Sequence, residues 1–213
     1  SRILRPVLKD VPVINMILPA ASDDEAVYFA DLGDGAPRAV RLISRYGDEK
    51  SGCEEHVADV LDIIGEKGAN LTGVTLMDMK TAGGNVLLVG NTVDQSDVEN
   101  IKKDTERTLF LAIGDPTLED TRLIYLSDAV DANATYTHAC LVNGQKDDEL
   151  YLMWETGEAD AVDTTYLVPI DARGNVIGTR GFEDPYVIHA GLSNVDPMMS
   201  EEGKIVWYCT EDE

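Results

Sequence analysis

The stretch Glu149-Leu150-Tyr151-Leu152-Met153-Trp154-Glu155, followed after a polar gap by Thr165-Tyr166-Leu167-Val168-Pro169-Ile170-Asp171-Ala172-Arg173-Gly174-Asn175-Val176-Ile177-Gly178, decides the fold. Both apolar runs are short and rich in aromatic and β-branched residues, which suits strands. Asp171 and Gly174-Asn175 supply the backbone conformations of a tight hairpin. The same grammar extends in both directions. Strands are expected at 12–18, 26–31, 38–43, 73–79, 85–91, 108–113, 122–126, 135–142, 149–155, 165–170, 176–178, 187–192 and 204–209, separated by Gly, Asp, Asn and Pro. Short strands without alternating long helices indicate an all-β chain.

Two segments carry helical signals. Over 54–64, Val57, Val60, Leu61 and Ile64 recur at i, i+3, i+4, i+7 before Gly65, so a small helical insertion is expected there. Ser96-Asp97-Val98-Glu99 has the form of a capping box ahead of a polar run, which allows only a short helix.

Internal repetition sharpens the architecture. His138-Ala139-Cys140-Leu141-Val142-Asn143 recurs 51 residues later as His189-Ala190-Gly191-Leu192-Ser193-Asn194, and each copy leads through an acidic turn to a Trp-bearing strand, at Trp154 and Trp207. The run 108–115 also resembles 164–171, with 26–32 a fainter copy. A unit of about 50 residues with four short strands is the pattern of a β-propeller blade. The stretch 149–178 resembles the blade repeats of large secreted and surface propeller proteins, in which a Trp-bearing second strand precedes a third strand and an Asp-x-x-Gly-Asn hairpin. That resemblance implies an architecture and no activity. Blade-like units are then expected at 12–43, 71–126, 136–178 and 187–210, about three and a half blades. Residues 1–213 therefore read as one all-β domain or as part of a larger propeller. Ser1 in place of an initiating Met suggests a piece of a longer product.

The length, 213 residues with 44% hydrophobic, supports a real core and excludes wholesale disorder. Forty Asp and Glu against 17 Lys and Arg give a net charge of −23, which repels nucleic acid and favours cationic partners or divalent ions. No apolar run approaches the roughly 20 residues of a membrane-spanning helix. Cys53, Cys140 and Cys209 form neither a metal pair nor an even disulfide framework; one bridge with one thiol and three buried thiols both fit. Sequons at Asn70 and Asn133 permit glycosylation.

Chemistry-bearing patterns are sparse. The loop at Asp128, Asp131 and Asn133 offers calcium ligands without EF-hand order, and 158–163 offers three more carboxylates. Plain solvated loops are the favoured reading of both stretches. His56, His138 and His189 lack zinc-site spacing and read as structural. No nucleophile elbow or phosphate-binding glycine loop occurs. With 40 acids, a carboxylate pair for glycoside cleavage arises by chance alone. The expectation is a non-enzymatic interaction or structural module, extracellular or at the cell surface, needing no cofactor except, in the acidic loops, calcium. It would present acidic loops to a protein partner or self-associate. The alternative is a glycan-binding or glycan-processing domain using carboxylates and aromatics at a propeller mouth.

Overall fold

Apolar side chains that alternate between two buried faces organise the molecule. A computed structural model describes residues 19–32, 38–48, 52–64, 72–103, 106–130, 136–157, 164–192 and 196–208. These fold into four antiparallel sheets taken in chain order. The first contains β1 (Ala20–Ser22), β2 (Ala26–Asp31), β3 (Arg38–Asp48) and β4 (Gly52–Ile63). The second contains β5 (Val74–Ala82), β6 (Asn85–Val93), β7 (Arg107–Gly114) and β8 (Thr121–Tyr125), with the short helix α1 (Val98–Lys103) between β6 and β7. The third contains β9 (Tyr136–Asn143), β10 (Glu149–Gly157), β11 (Thr165–Asp171) and β12 (Tyr186–Ile188). The fourth is a hairpin of β13 (Met198–Met199) and β14 (Ile205–Val206). Each four-stranded sheet is a simple meander from first strand to fourth.

A separate core fills the space between each pair of successive sheets. Val86 and Leu88 of β6, with Phe110 and Ala112 of β7, face Tyr28, Val40 and Leu42 of the first sheet. Their neighbours Leu87, Val89, Leu109 and Leu111 face Leu141, Leu150, Leu152 and Trp154 of the third. Cys140, Val142 and Met153 turn the other way and meet Met199, Ile205 and Trp207. Successive residues of a strand point to opposite faces, so the unbroken apolar runs of β6 and β7 are what a sheet buried on both sides requires.

The segment 54–64 is not helical; all of it but Ile64 lies within β4, paired with β3. Its apolar spacing comes from a register shift between Val40 and Arg41, where Val40 pairs with Leu61 and Arg41 with Asp59. The extra residue, Val60, changes the inward phase, and a bulged strand then imitates helical periodicity. Val57, placed on the expected helical face, is 49% exposed. The one helix among the described residues is α1, capped by Asp97, whose Oδ1 accepts the Glu99 amide at 2.9 Å. The cap is thus one residue after Ser96.

Two unit boundaries also differ from expectation. Val176 makes a single bridge to Ile170, and the fourth strand of the third sheet is β12. Residues 187 and 188 therefore close one sheet instead of opening the next. The expected strand at 12–18 lies outside the described residues. The turn at 171–175 forms as read, although it leads to a single bridge and not to the expected strand at 176–178: Asp171 Oδ1 accepts the amides of Arg173 (2.8 Å) and Asn175 (2.9 Å). Gly174 has φ +77°, and a Cβ there would approach Ile113 and Ile124 of the neighbouring sheet within 2.9 Å.

The two tryptophans of the sequence repeat make matching hydrogen bonds. The Trp154 indole donates to Val130 O (2.9 Å) and that of Trp207 to Gly191 O (3.1 Å), each in the segment entering its own sheet. Trp154 is fully buried, whereas Trp207 is only partly covered. Trp154→Ala is expected to cost about 3–5 kcal/mol, the range for emptying a buried aromatic site, and Trp207→Ala clearly less. Urea unfolding of the two variants checks the order.

Candidate functional site

The first strands of all four sheets border one cleft. Its volume is about 790 Å³, and its walls come from Ala20–Ser22 of β1, Met79–Thr81 of β5, Val142–Gln145 at the end of β9, and Pro197–Glu201 around β13. Met79 and Val142 are buried and form apolar ground, while Lys80, Asn143, Gln145 and Glu201 supply polar groups. Among the described residues the cleft lining holds one carboxylate, Glu201, and no aromatic ring.

Beside the cleft, a bulge between Leu76 and Asp78 sets the direction of the Asp78 side chain. One Asp78 oxygen accepts the Leu141 amide of the third sheet at 2.8 Å. The other accepts the Met79 amide (2.7 Å) and Lys80 Nζ (3.1 Å). Lys80 also lies 4.0 Å from Asp196. Burial raises the Asp78 carboxyl above the usual carboxylate range, against the opposing pull of the Leu141 amide and Lys80.

A second carboxylate repeats this device. Glu155 of β10 is buried and accepts the Leu192 amide through Oε2, while Oε1 lies 3.4 Å from His138 Nδ1. Leu141 and Leu192 are the matched leucines of the sequence repeat, 51 residues apart. The repeat thus marks an amide held by a carboxylate of an earlier strand, buried at Glu155 and largely covered at Asp78. Nothing in the local sequence marked Asp78 or Glu155, because each reads as an ordinary polar position in an alternating strand.

The histidines do not converge. His56 stacks on Tyr46 with ring centroids 5.1 Å apart, His138 faces Glu155, and His189 is exposed beyond β12. His138 and His189 therefore differ in setting; Leu141 lies within β9 and Leu192 outside any strand, so the two leucines share only an amide held by a carboxylate. Cys140 is buried, and burial with nearby Asp78 pushes its thiol up to about 12, while Cys53 is exposed. Cys209 lies outside the described residues.

Of the calcium candidates, Asp128 is exposed in the turn after β8, with Ser127 Oγ donating to its Oδ1 at 3.5 Å. Asp131 and Asn133 lie outside the described residues, as does 158–163. Among the described residues, no three His, Cys, Asp or Glu side chains group as metal ligands. Several acids shape turns: Asp23 accepts the amides of Glu25 (2.9 Å) and Ala26 (2.8 Å), and Asp115 accepts the Thr117 hydroxyl (2.7 Å). No helix among the described residues is long and apolar enough to cross a membrane. No protein-family model matches the chain, and no curated protein matches it significantly.

A raised carboxyl binds its proton more tightly in the folded chain, so its contribution to stability falls as pH rises from the usual value through the raised one. Asp78→Asn carries no such titration. The stability difference between this variant and the wild type is expected to shift in favour of the variant as pH rises from about 3.5 to 7, from the ordinary carboxylate range upward. Paired urea titrations measure it, and a shift toward the wild type contradicts the assignment.

Proposed function

We propose that the chain is a non-enzymatic interaction module, extracellular or at a cell surface, whose meandering sheets are propeller-like blades around the cleft. It presents acidic loops and edges to a basic partner. Two features support the blade reading: each sheet runs outward from its first strand, and the four first strands border one cavity. The distribution of acid carries the functional reading. Among the described residues the cleft lining has one carboxylate, Glu201, and no aromatic ring, whereas Asp24, Glu25, Glu54, Glu55, Asp147, Asp148 and Glu202 are exposed on turns and edges outside it. Glycan processing needs paired carboxylates, and glycan binding favours aromatic faces, at a common pocket. A dispersed acidic coat with a net charge of −23 suits long-range attraction of a cationic surface.

The test compares an extended Lys- and Arg-rich peptide with a glycan panel, both offered to the purified chain. Peptide binding that weakens as ionic strength rises, with no glycan retained, is the expected result. Glycan retention or cleavage with the peptide ignored would overturn the reading.

A further inference from the structure

We infer that the chain self-associates through the outer edge of β14, joining two hairpins across a two-fold axis into one four-stranded sheet. This rests on the interaction reading above and names a second copy of the chain as the partner. Three sheets have four strands, while the described fourth sheet stops at two.

The hydrogen-bonding phase of β14 allows this pairing. The Ser200 amide donates to Lys204 O (2.8 Å), so Lys204 directs its carbonyl toward the β13 side. Met199 pairs with Ile205 and Met198 with Val206. In an antiparallel ladder, bonded and non-bonded pairs alternate, so Ile205 turns its N–H and C=O away from β13, and Trp207 continues the same phase. Two copies related by a two-fold axis through Val206 place Ile205 opposite Trp207 of the second copy. These two residues exchange both backbone hydrogen bonds, and the symmetry repeats the exchange.

The side chains suit the same register. Ile205 and Trp207 pack inward on the third sheet. Val206 is 44% exposed and Tyr208 79% exposed. Across the axis Val206 meets Val206, and Lys204, whose ammonium rests on Glu202 at 2.8 Å, lies opposite Tyr208 of the second copy. No like charges face each other between positions 204 and 208. The contrast with β4 is direct, because its exposed Glu54, Glu55, Asp59 and Asp62 would crowd like charges along a two-fold edge-to-edge pairing. In a chain of charge −23, the edge of β14 is free of acid along the residues that pair. An isologous contact of this kind is self-complementary and closes at two copies.

Light scattering after size exclusion reads the mass over a range of protein concentrations and salt. The expected species is about 46 kDa, twice the 23.2 kDa chain, and it strengthens with salt because screening relieves the repulsion between acidic copies. Binding of a basic peptide responds to salt in the opposite direction, so the two readings fail separately. Val206→Lys places like charges on the axis and should raise the dissociation constant at least about tenfold while leaving the circular dichroism spectrum unchanged. Val206→Cys, in a Cys53→Ser, Cys209→Ser background, should form an intermolecular disulfide on oxidation, since directly opposed non-bonded pairs bring their Cβ atoms to about 4.5–5.5 Å. A monomer at every concentration overturns the inference. So does a dimer that is indifferent to Val206→Lys and gives no disulfide.

Discussion

Burial of both faces of the middle sheets is the constraint on which the rest of the structure depends. β6 and β7 send alternate side chains into two cores, and β9 and β10 do the same one sheet later. Such strands have no polar face to turn toward water, so neither sheet is stable without its neighbours. Among the described residues, the first sheet has a neighbouring sheet on one face only. This explains why β4 can carry an outward row of acids, whereas β6 is buried along almost its whole length.

Packing of apolar faces sets the spacing of the sheets without fixing how they rotate against one another. Directional contacts supply that information. Asp78 and Glu155 reach across to the backbone amides of Leu141 and Leu192, and Ser44 Oγ donates to Pro116 O at 2.7 Å between the first and second sheets. A buried carboxylate is costly to desolvate and is retained where hydrogen bonds compensate it. Asp78 shows the balance, with burial raising its carboxyl despite two amides and a lysine. The repeated His-Ala-x-Leu element is the sequence trace of these ties, carried by the amide of the leucine.

Most strands were legible because their apolar runs end at residues with special backbone chemistry. Asp171 and Gly174 close one hairpin, and Gly83-Gly84, with φ of 52° and 77°, close another. The hidden features share a cause: each depends on the partner strand. The bulge opposite Val40 cannot be read from 54–64 alone, and the inserted Val60 gives a strand the look of a helix. The bulge in β5 that aims Asp78 is equally silent in sequence. The fourth strand of the third sheet was misplaced because 186–188 is too short to show any periodicity. The cleft escaped notice for a related reason. Its residues come from four separated segments, each unremarkable alone.

Amide hydrogen exchange on the intact chain reads two-sided burial strand by strand, since protection follows local stability and burial. The two-sided packing predicts the slowest exchange in β6, β7, β9 and β10, with 54–60 of β4 exchanging much faster. Comparable protection along 54–60 and β6, or rapid exchange through β6 and β7, would contradict it.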